Sequence, residues 1–167
     1  MTTRLYFLAG FLAATLALAF AYYLQYAQGL DPCALCIFQR IAMAGVALFC
    51  LIGLAHGPAE PGRRVYSALA GLSAVFGAAI AARHVWLMHL PADQVPACGP
   101  DLNYLIDVMP LAEVLTTVLR GDASCAEVEG AFLGVSLPAW TGIYFLFLAF
   151  GALAGIFGRR APGRPVA

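Results

Sequence analysis

The sequence predicts an all-α membrane protein, a four-transmembrane-helix bundle with a long loop that contains a short amphipathic helix. Hydrophobic residues make up 62% of the 167 residues, charged residues make up 11%, and the mean hydropathy is +0.84. A soluble domain carries about 25% charged residues. Crossing a hydrocarbon core of about 30 Å takes roughly 20 mostly apolar residues in a helix, and four stretches meet that length.

The four predicted spans lie at about 5–26, 37–54, 65–90 and 138–157, within a single domain at 1–167, and the long loop is 91–137. The first span has one alternative, a signal peptide, because Arg4 precedes the apolar run and Ala19-Phe20-Ala21 resembles a cleavage site. Its apolar run exceeds the roughly 7–15 residues of a signal h-region, so we interpret it as a retained helix.

Charge asymmetry predicts the orientation. Six of the nine arginines flank one side of the predicted bundle, and eight of the nine acidic residues fall on the other side. By the positive-inside rule both termini and the loop at 57–64 are cytoplasmic, and the Cys33 turn and the long loop face outward. The formal net charge is zero and no basic patch is present, so we expect no nucleic-acid partner.

A Cys-x-x-Cys motif opens the second span. Asp31 and Pro32 are helix-start residues, so Cys33 to Cys36 are predicted to form the first helical turn, where the helix dipole favours a thiolate. Arg40 follows Cys36 by four residues and lies on the same helical face. This arrangement indicates redox chemistry, although half of a zinc site or two packed thiols are alternatives.

The outer end of the third span carries ionisable residues. Arg83 and His84 stand close to lipid depth, where such groups are functional candidates, and either one could face the Cys33 turn and share a ligand with it. Trp86 and His89 fit an interfacial role better.

The long loop contains one periodic stretch. Leu111, Val114, Leu115 and Val118 recur at helical spacing among polar residues, which predicts an amphipathic helix on the outer leaflet. Gly121 ends the pattern, and Cys125 follows it.

The five cysteines divide by compartment. Cys50 falls within the second span and is interpreted as an inert thiol, whereas Cys33, Cys36, Cys98 and Cys125 lie outside, where conditions are oxidising. Four cysteines allow three connectivities, and local pairing of Cys33 with Cys36 and of Cys98 with Cys125 is favoured. The isolation of Cys98 from Cys125 argues against a four-cysteine zinc site. Purely structural disulfides remain an alternative, although a Cys-x-x-Cys bridge closes too small a loop to stabilise much.

The chain resembles the DsbB family of bacterial inner-membrane disulfide-generating proteins. The shared features occur in order along nearly the whole chain: Pro32-Cys33-x-x-Cys36-x-x-x-Arg40, His84 followed by Pro91, Cys98, and Cys125 ahead of Phe132-Leu133-Gly134-Val135-Ser136-Leu137-Pro138-x-Trp140. Phe38-Gln39 departs from the family, since some members have a Tyr-Glu pair there.

The resemblance implies a multi-pass protein of the bacterial inner membrane with both cysteine pairs on the periplasmic side. It implies a DsbA-like periplasmic thiol oxidase as partner. That partner attacks Cys98, and Cys125 is the loop cysteine that pairs with Cys98. Electrons then pass to Cys33–Cys36, and Cys36 acts on ubiquinone or menaquinone from the membrane pool. Arg40 would stabilise the Cys36 thiolate and bind the quinone, with His84 as a second candidate for the same pocket.

Two other classes remain as alternatives. Vitamin K epoxide reductase-like proteins also carry two cysteine pairs and react with quinones, but their loop pair precedes the Cys-x-x-Cys motif, and here the order is reversed. A non-enzymatic tetraspan protein with structural disulfides is the other alternative.

Overall fold

Four long helices dominate the fold. The computed structural model describes residues 2–91, 93–95, 102–121, 123–126 and 131–158. The long helices are α1 (Thr3–Gln28), α2 (Ala34–His56), α3 (Glu60–Met88) and α7 (Leu137–Phe157), and each is long and apolar enough to cross a membrane. The predicted class, an all-α membrane bundle, is confirmed.

The third helix begins earlier than its predicted start at residue 65. Its first turn holds Glu60 and Pro61, a good residue pair for a helix start, and Arg63 and Arg64 both form ion pairs with Glu60, at 2.8 and 3.3 Å. The predicted 57–64 loop is therefore only a short turn. Hydropathy does not detect this first turn because its residues are charged, and the helix starts before the apolar stretch begins.

The bundle is not closed equally on all sides. Helix α2 packs on α1 and α3, and α3 packs along α7, whereas α1 and α7 touch over only a short stretch. Gly77 lets α3 approach α7 closely, because a Cβ at that position would collide with the fully buried ring of Phe145. The weak α1–α7 contact leaves an opening between these two helices.

Three short helices and a hairpin make up the described part of the long loop. The helices are α4 (Leu102–Val108), α5 (Leu111–Arg120) and α6 (Ala123–Ala126), and β1 (Ala131–Phe132) pairs antiparallel with β2 (Val135–Ser136). Only α5 was predicted, and it has the predicted bounds. The other pieces are too short to show a periodic pattern.

Helix α5 packs on the Cys33 end of the bundle. Val114 and Val118 are buried in a cluster that includes Leu35 and Leu87, while Leu111 stays exposed. Gly121 ends α5 with φ +74°, a conformation that favours glycine, and a Cβ there would strike Leu87. The predicted amphipathic helix therefore packs one edge of its apolar face against the helical bundle of the same chain.

Candidate active site

Cys33 caps the second helix instead of lying inside its first turn. The helix begins at Ala34, and Cys33 is the N-cap residue with extended backbone. The backbone N–H of Cys36 donates to Cys33 Sγ at 3.4 Å, so the thiol occupies the place of an ordinary capping oxygen. The predicted first turn, Cys33 to Cys36, thus began one residue early, since the helix starts at Ala34.

The two sulfur atoms of the motif face each other as thiols. Cys33 Sγ and Cys36 Sγ are 3.3 Å apart, and both residues are unbonded in this structure. A disulfide requires about 2.05 Å, so a small rotation of either side chain brings the sulfurs to bonding distance. Cys33 is buried, whereas Cys36 is partly exposed. The pair can therefore open and close with one sulfur accessible.

His84 lies at the centre of the site and is fully buried. Its Nε2 is 3.8 Å from Cys33 Sγ and its Nδ1 is 4.0 Å from Cys36 Sγ. Nε2 is also 3.0 Å from the carbonyl oxygen of Cys125. Of the two residues that could face the cysteines, His84 does so and Arg83 does not. The single histidine joins α2, α3 and α6.

The hydrogen-bond partners of His84 favour one tautomer. A carbonyl oxygen only accepts, so Nε2 carries the proton that is donated to Cys125. The lone pair of Nδ1 then accepts from the Gln39 side-chain amide, whose nitrogen is 3.3 Å away. Gln39 is buried, and in the sequence it stands out only as a departure from the family pattern. The sequence signal for a functional role of Gln39 is a polar side chain within an apolar run, on the same helical face as Cys36.

Cys125 brings the long loop into the site. It lies in α6, is fully buried, and belongs to the same packed cluster as Cys33. The predicted partner of this residue, Cys98, lies outside the described residues, so the predicted Cys98–Cys125 pairing stays a prediction. The backbone of Cys125 nevertheless contacts His84 directly, which places this loop cysteine beside the Cys33–Cys36 pair.

A cavity of about 630 Å³ opens beside Cys36. It lies where α1 and α7 fail to close on each other, and α1, the turn before α2 and the start of α7 form its walls. Most of the wall is apolar, and the polar groups include Cys36, Gln39 and Arg40. An apolar cavity with a few convergent polar groups is the usual form of a small-molecule site.

Arg40 is anchored to the first helix. Its guanidinium donates to the side-chain oxygen of Gln25 and to the carbonyl oxygen of Ala21, the latter at 3.1 Å. It also lies over the ring of Tyr22, 5.0 Å from the ring centroid. These contacts hold a positive charge at the wall of the cavity that Cys36 also lines.

Comparison with known proteins agrees with this geometry. The family model described as "Disulfide bond formation protein DsbB" matches residues 3–155. The chain is 54% identical over 128 residues to "Disulfide bond formation protein B" of Saccharophagus degradans, covering 77% of each chain. It is 48% identical over 164 residues to the protein of the same name from Chromohalobacter salexigens, covering 96% of this chain and 95% of that one. The chain belongs to the DsbB family.

Membership in the DsbB family makes the molecule a disulfide-forming oxidoreductase of a membrane, built from several transmembrane helices. The site fits that class, since it contains a close dithiol, a third cysteine and a cavity at the reactive end. Cys50 stands apart from it. Its buried sulfur packs against Gly10 in a separate core cluster, where α1 and α2 meet.

Proposed function

We propose that this DsbB-family protein is a thiol:quinone oxidoreductase that reoxidises a DsbA-like periplasmic thiol oxidase. The observation that carries the proposal is the position of Cys36. Its sulfur lies 3.3 Å from that of Cys33 and lines the cavity between α1 and α7. A dithiol with one sulfur at the wall of an apolar cavity is suited to an acceptor that dissolves in lipid.

The relay begins at the loop cysteines. A thiolate of the reduced partner attacks Cys98 in a Cys98–Cys125 disulfide, and a mixed disulfide forms as Cys125 leaves. The second partner thiol then resolves the mixed disulfide, which leaves the partner oxidised and Cys98 and Cys125 as a dithiol. That dithiol reduces a Cys33–Cys36 disulfide by the same exchange. Two electrons and two protons move at each stage.

The position of Cys125 supports this exchange. Its backbone is hydrogen-bonded to His84, the same side chain that lies within 4.0 Å of both sulfurs of the Cys33–Cys36 pair. We propose that His84 orients the two cysteine pairs toward each other. Replacing the imidazole would therefore weaken the exchange more than the intrinsic reactivity of either pair.

The cavity fits a quinone. Its walls are mainly apolar, and Arg40 and Gln39 provide hydrogen-bond donors beside Cys36. A bound quinone supplies a two-electron, two-proton acceptor. Arg40, fixed by Gln25 and Ala21, would hold a quinone oxygen and stabilise negative charge there, and Cys36 would present its sulfur to the same space. Ubiquinone and menaquinone both have the planar, apolar ring that such a cavity accepts.

We propose the bacterial inner membrane as the location, with both termini in the cytoplasm and the cysteine pairs on the periplasmic side. The asymmetry of the arginine and acidic residues supports this orientation. An oxidising compartment on the side of the cysteines is also what a disulfide relay requires.

Cysteine variants test the relay. Cys98→Ala should stop oxidation of the reduced partner but leave the Cys33–Cys36 dithiol oxidisable by added quinone, while Cys36→Ala should stop quinone reduction altogether. The two measurements are the rate of partner oxidation and the rate of quinone reduction by purified protein. Cys50→Ala, in the separate core cluster, is the matched control and should resemble the wild type. Wild-type partner oxidation by both Cys98→Ala and Cys125→Ala would make the loop pair only structural.

A further inference from the structure

We propose that the reduced site is also a binding site for a thiophilic d¹⁰ divalent cation such as Zn²⁺ or Cd²⁺. The ligands would be Cys33 Sγ, Cys36 Sγ and His84 Nδ1. One ligand atom from each of these three residues lies within 4.8 Å of the others. Two thiolates and an imidazole are ligands that such cations prefer.

The separations in the dithiol are close to those that a metal needs. A tetrahedral cation with Zn–S bonds of about 2.3 Å and a Zn–N bond of about 2.0 Å holds its sulfurs about 3.8 Å apart and each sulfur about 3.5 Å from the nitrogen. The observed separations are 3.3 Å between the sulfurs and 4.0 Å between Cys36 Sγ and His84 Nδ1, and Cys33 Sγ lies 3.8 Å from the other ring nitrogen, Nε2. Adjustments of about half an ångström, within reach of side-chain rotation, bring the first two separations to the tetrahedral values.

The histidine is already prepared as a ligand. Its Nε2 proton is committed to the carbonyl oxygen of Cys125, which leaves the lone pair on Nδ1. A metal-bound histidine usually donates its other N–H to a carboxylate or backbone carbonyl in this manner. The present competitor for that lone pair is the amide of Gln39, which also lines the cavity and has space into which to turn.

The cavity gives the cation a route in and a fourth coordination position. Cys36 lines it, so a hydrated cation can approach this sulfur and keep one water on the cavity side. Binding displaces the two thiol protons and oxidises nothing: M²⁺ + 2 Cys–SH gives M(S–Cys)₂ + 2 H⁺. With both sulfurs bound to the cation, the pair cannot form a disulfide. Binding requires the reduced dithiol and His84, and it is independent of any quinone or partner.

Cadmium titration of the purified full-length protein tests the site. The protein carries Cys98→Ser, so that the loop cysteines cannot form a second site as a pair, and it is reduced without a metal-binding reductant. Addition of Cd²⁺ alone should produce a thiolate-to-cadmium charge-transfer band that saturates at one equivalent, and Zn²⁺ should displace it. Protein kept oxidised at Cys33–Cys36 should give no band.

Four further variants in the same background test the ligand assignment. Cys36→Ser should abolish the band, His84→Asn should weaken Cd²⁺ binding at least tenfold, and Cys50→Ala should change nothing. Retention of the detergent-solubilised fold is checked by far-ultraviolet circular dichroism. Gln39→Leu removes the amide that competes for the Nδ1 lone pair and keeps all three ligands. This variant should therefore bind Cd²⁺ at least as tightly as the Cys98→Ser parent. An unchanged band in Cys36→Ser, or unchanged affinity in a folded His84→Asn protein, would overturn the proposal.

Discussion

At the scale of single residues, a contact between two buried polar side chains lies beside the dithiol. Gln39 and His84 are both buried, and they contact each other beside the dithiol. A buried polar group without a partner is costly, and here each one is paired. The network therefore fixes the rotamer of the histidine and, through its second nitrogen, the position of the Cys125 backbone.

The role of Arg40 leads to a kinetic prediction. An arginine near lipid depth costs roughly 2.5–3.5 kcal/mol on insertion scales, and its contacts with Gln25, Ala21 and Tyr22 offset part of that. If the charge also acts on the cavity, Arg40→Ala should raise the quinone KM or lower kcat at least tenfold, about 1.4 kcal/mol. Arg40→Lys should recover only part, since lysine lacks the guanidinium fork.

The matched control for Arg40 is Arg64→Ala. Arg64 is an exposed arginine at the opposite end of the bundle, paired with Glu60 at 3.3 Å. Its loss should leave quinone kinetics unchanged. Wild-type kinetics in a well-inserted Arg40→Ala protein would reduce Arg40 to an anchor between α1 and α2.

At the scale of elements, α5 is held in place by an arginine from α3. Arg83 donates from Nε to the carbonyl oxygen of Leu119 at 3.0 Å and from Nη2 to that of Arg120 at 2.9 Å. These carbonyls belong to the last turn of α5, which has no partners for them within the helix. The stacking of Arg83 on Trp86, 4.1 Å from the ring centroid, fixes the guanidinium. Arg83 thus serves the loop rather than the cavity.

Loss of these two hydrogen bonds from Arg83 should increase local opening of α5. A hydrogen bond to a charged group contributes about 1.5–3 kcal/mol, so Arg83→Gln should speed amide hydrogen exchange across Leu111–Arg120 at least tenfold. Exchange within α2 should not change. Arg120→Gln removes an exposed arginine from α5 itself and serves as the control. Equal exchange in Arg83→Gln and the wild type would mean that burial of Val114 and Val118 alone holds the helix.

The sequence predicted the elements unevenly, and for physical reasons. The spans and α5 were visible because apolar length and a 3.6-residue period are properties of the chain itself. The start of α3 at Glu60 and the cap at Cys33 were misplaced, because capping depends on local hydrogen bonds that hydropathy does not measure. The contact of His84 with the cysteines was anticipated, whereas that of Gln39 became evident only once α2 and α3 were packed together.

At the scale of the whole molecule, the bundle keeps its reactive groups at one end. The dithiol, His84, Cys125 and the cavity all lie where α1 ends and α2 and α7 begin. The opposite end carries the exposed Arg4 and Arg64 and the ion pairs of Glu60. This polarity along the bundle axis is what the proposed orientation requires, because the two ends meet different compartments.

Cysteine labelling tests the orientation. In a chain whose five native cysteines are replaced by alanine, Leu133→Cys should react with a membrane-impermeant maleimide on intact spheroplasts. Arg64→Cys should react only after permeabilisation. Both positions are well exposed, Leu133 at the hairpin tip by 79% and the Arg64 side chain by 62%, so access within the protein does not decide the result. Labelling of Arg64→Cys alone on intact spheroplasts would show that the orientation is the opposite of the one proposed.

Cys36 is proposed to meet its electron acceptor in the cavity between α1 and α7. A substitution that fills this cavity tests the proposal directly. Ala21 lines the cavity next to Arg40, whereas Ala19, two residues away on α1, is exposed and outside it. An indole at position 21 would occupy the space beside Cys36, and one at position 19 would face outward.

The measurement is the KM for a short-chain quinone, taken with reduced partner in excess and purified protein. Ala21→Trp should raise this KM at least tenfold while Ala19→Trp keeps the wild-type value, with thiol exchange at Cys98 and Cys125 intact in both. A folded Ala21→Trp protein with wild-type quinone kinetics would contradict the proposal.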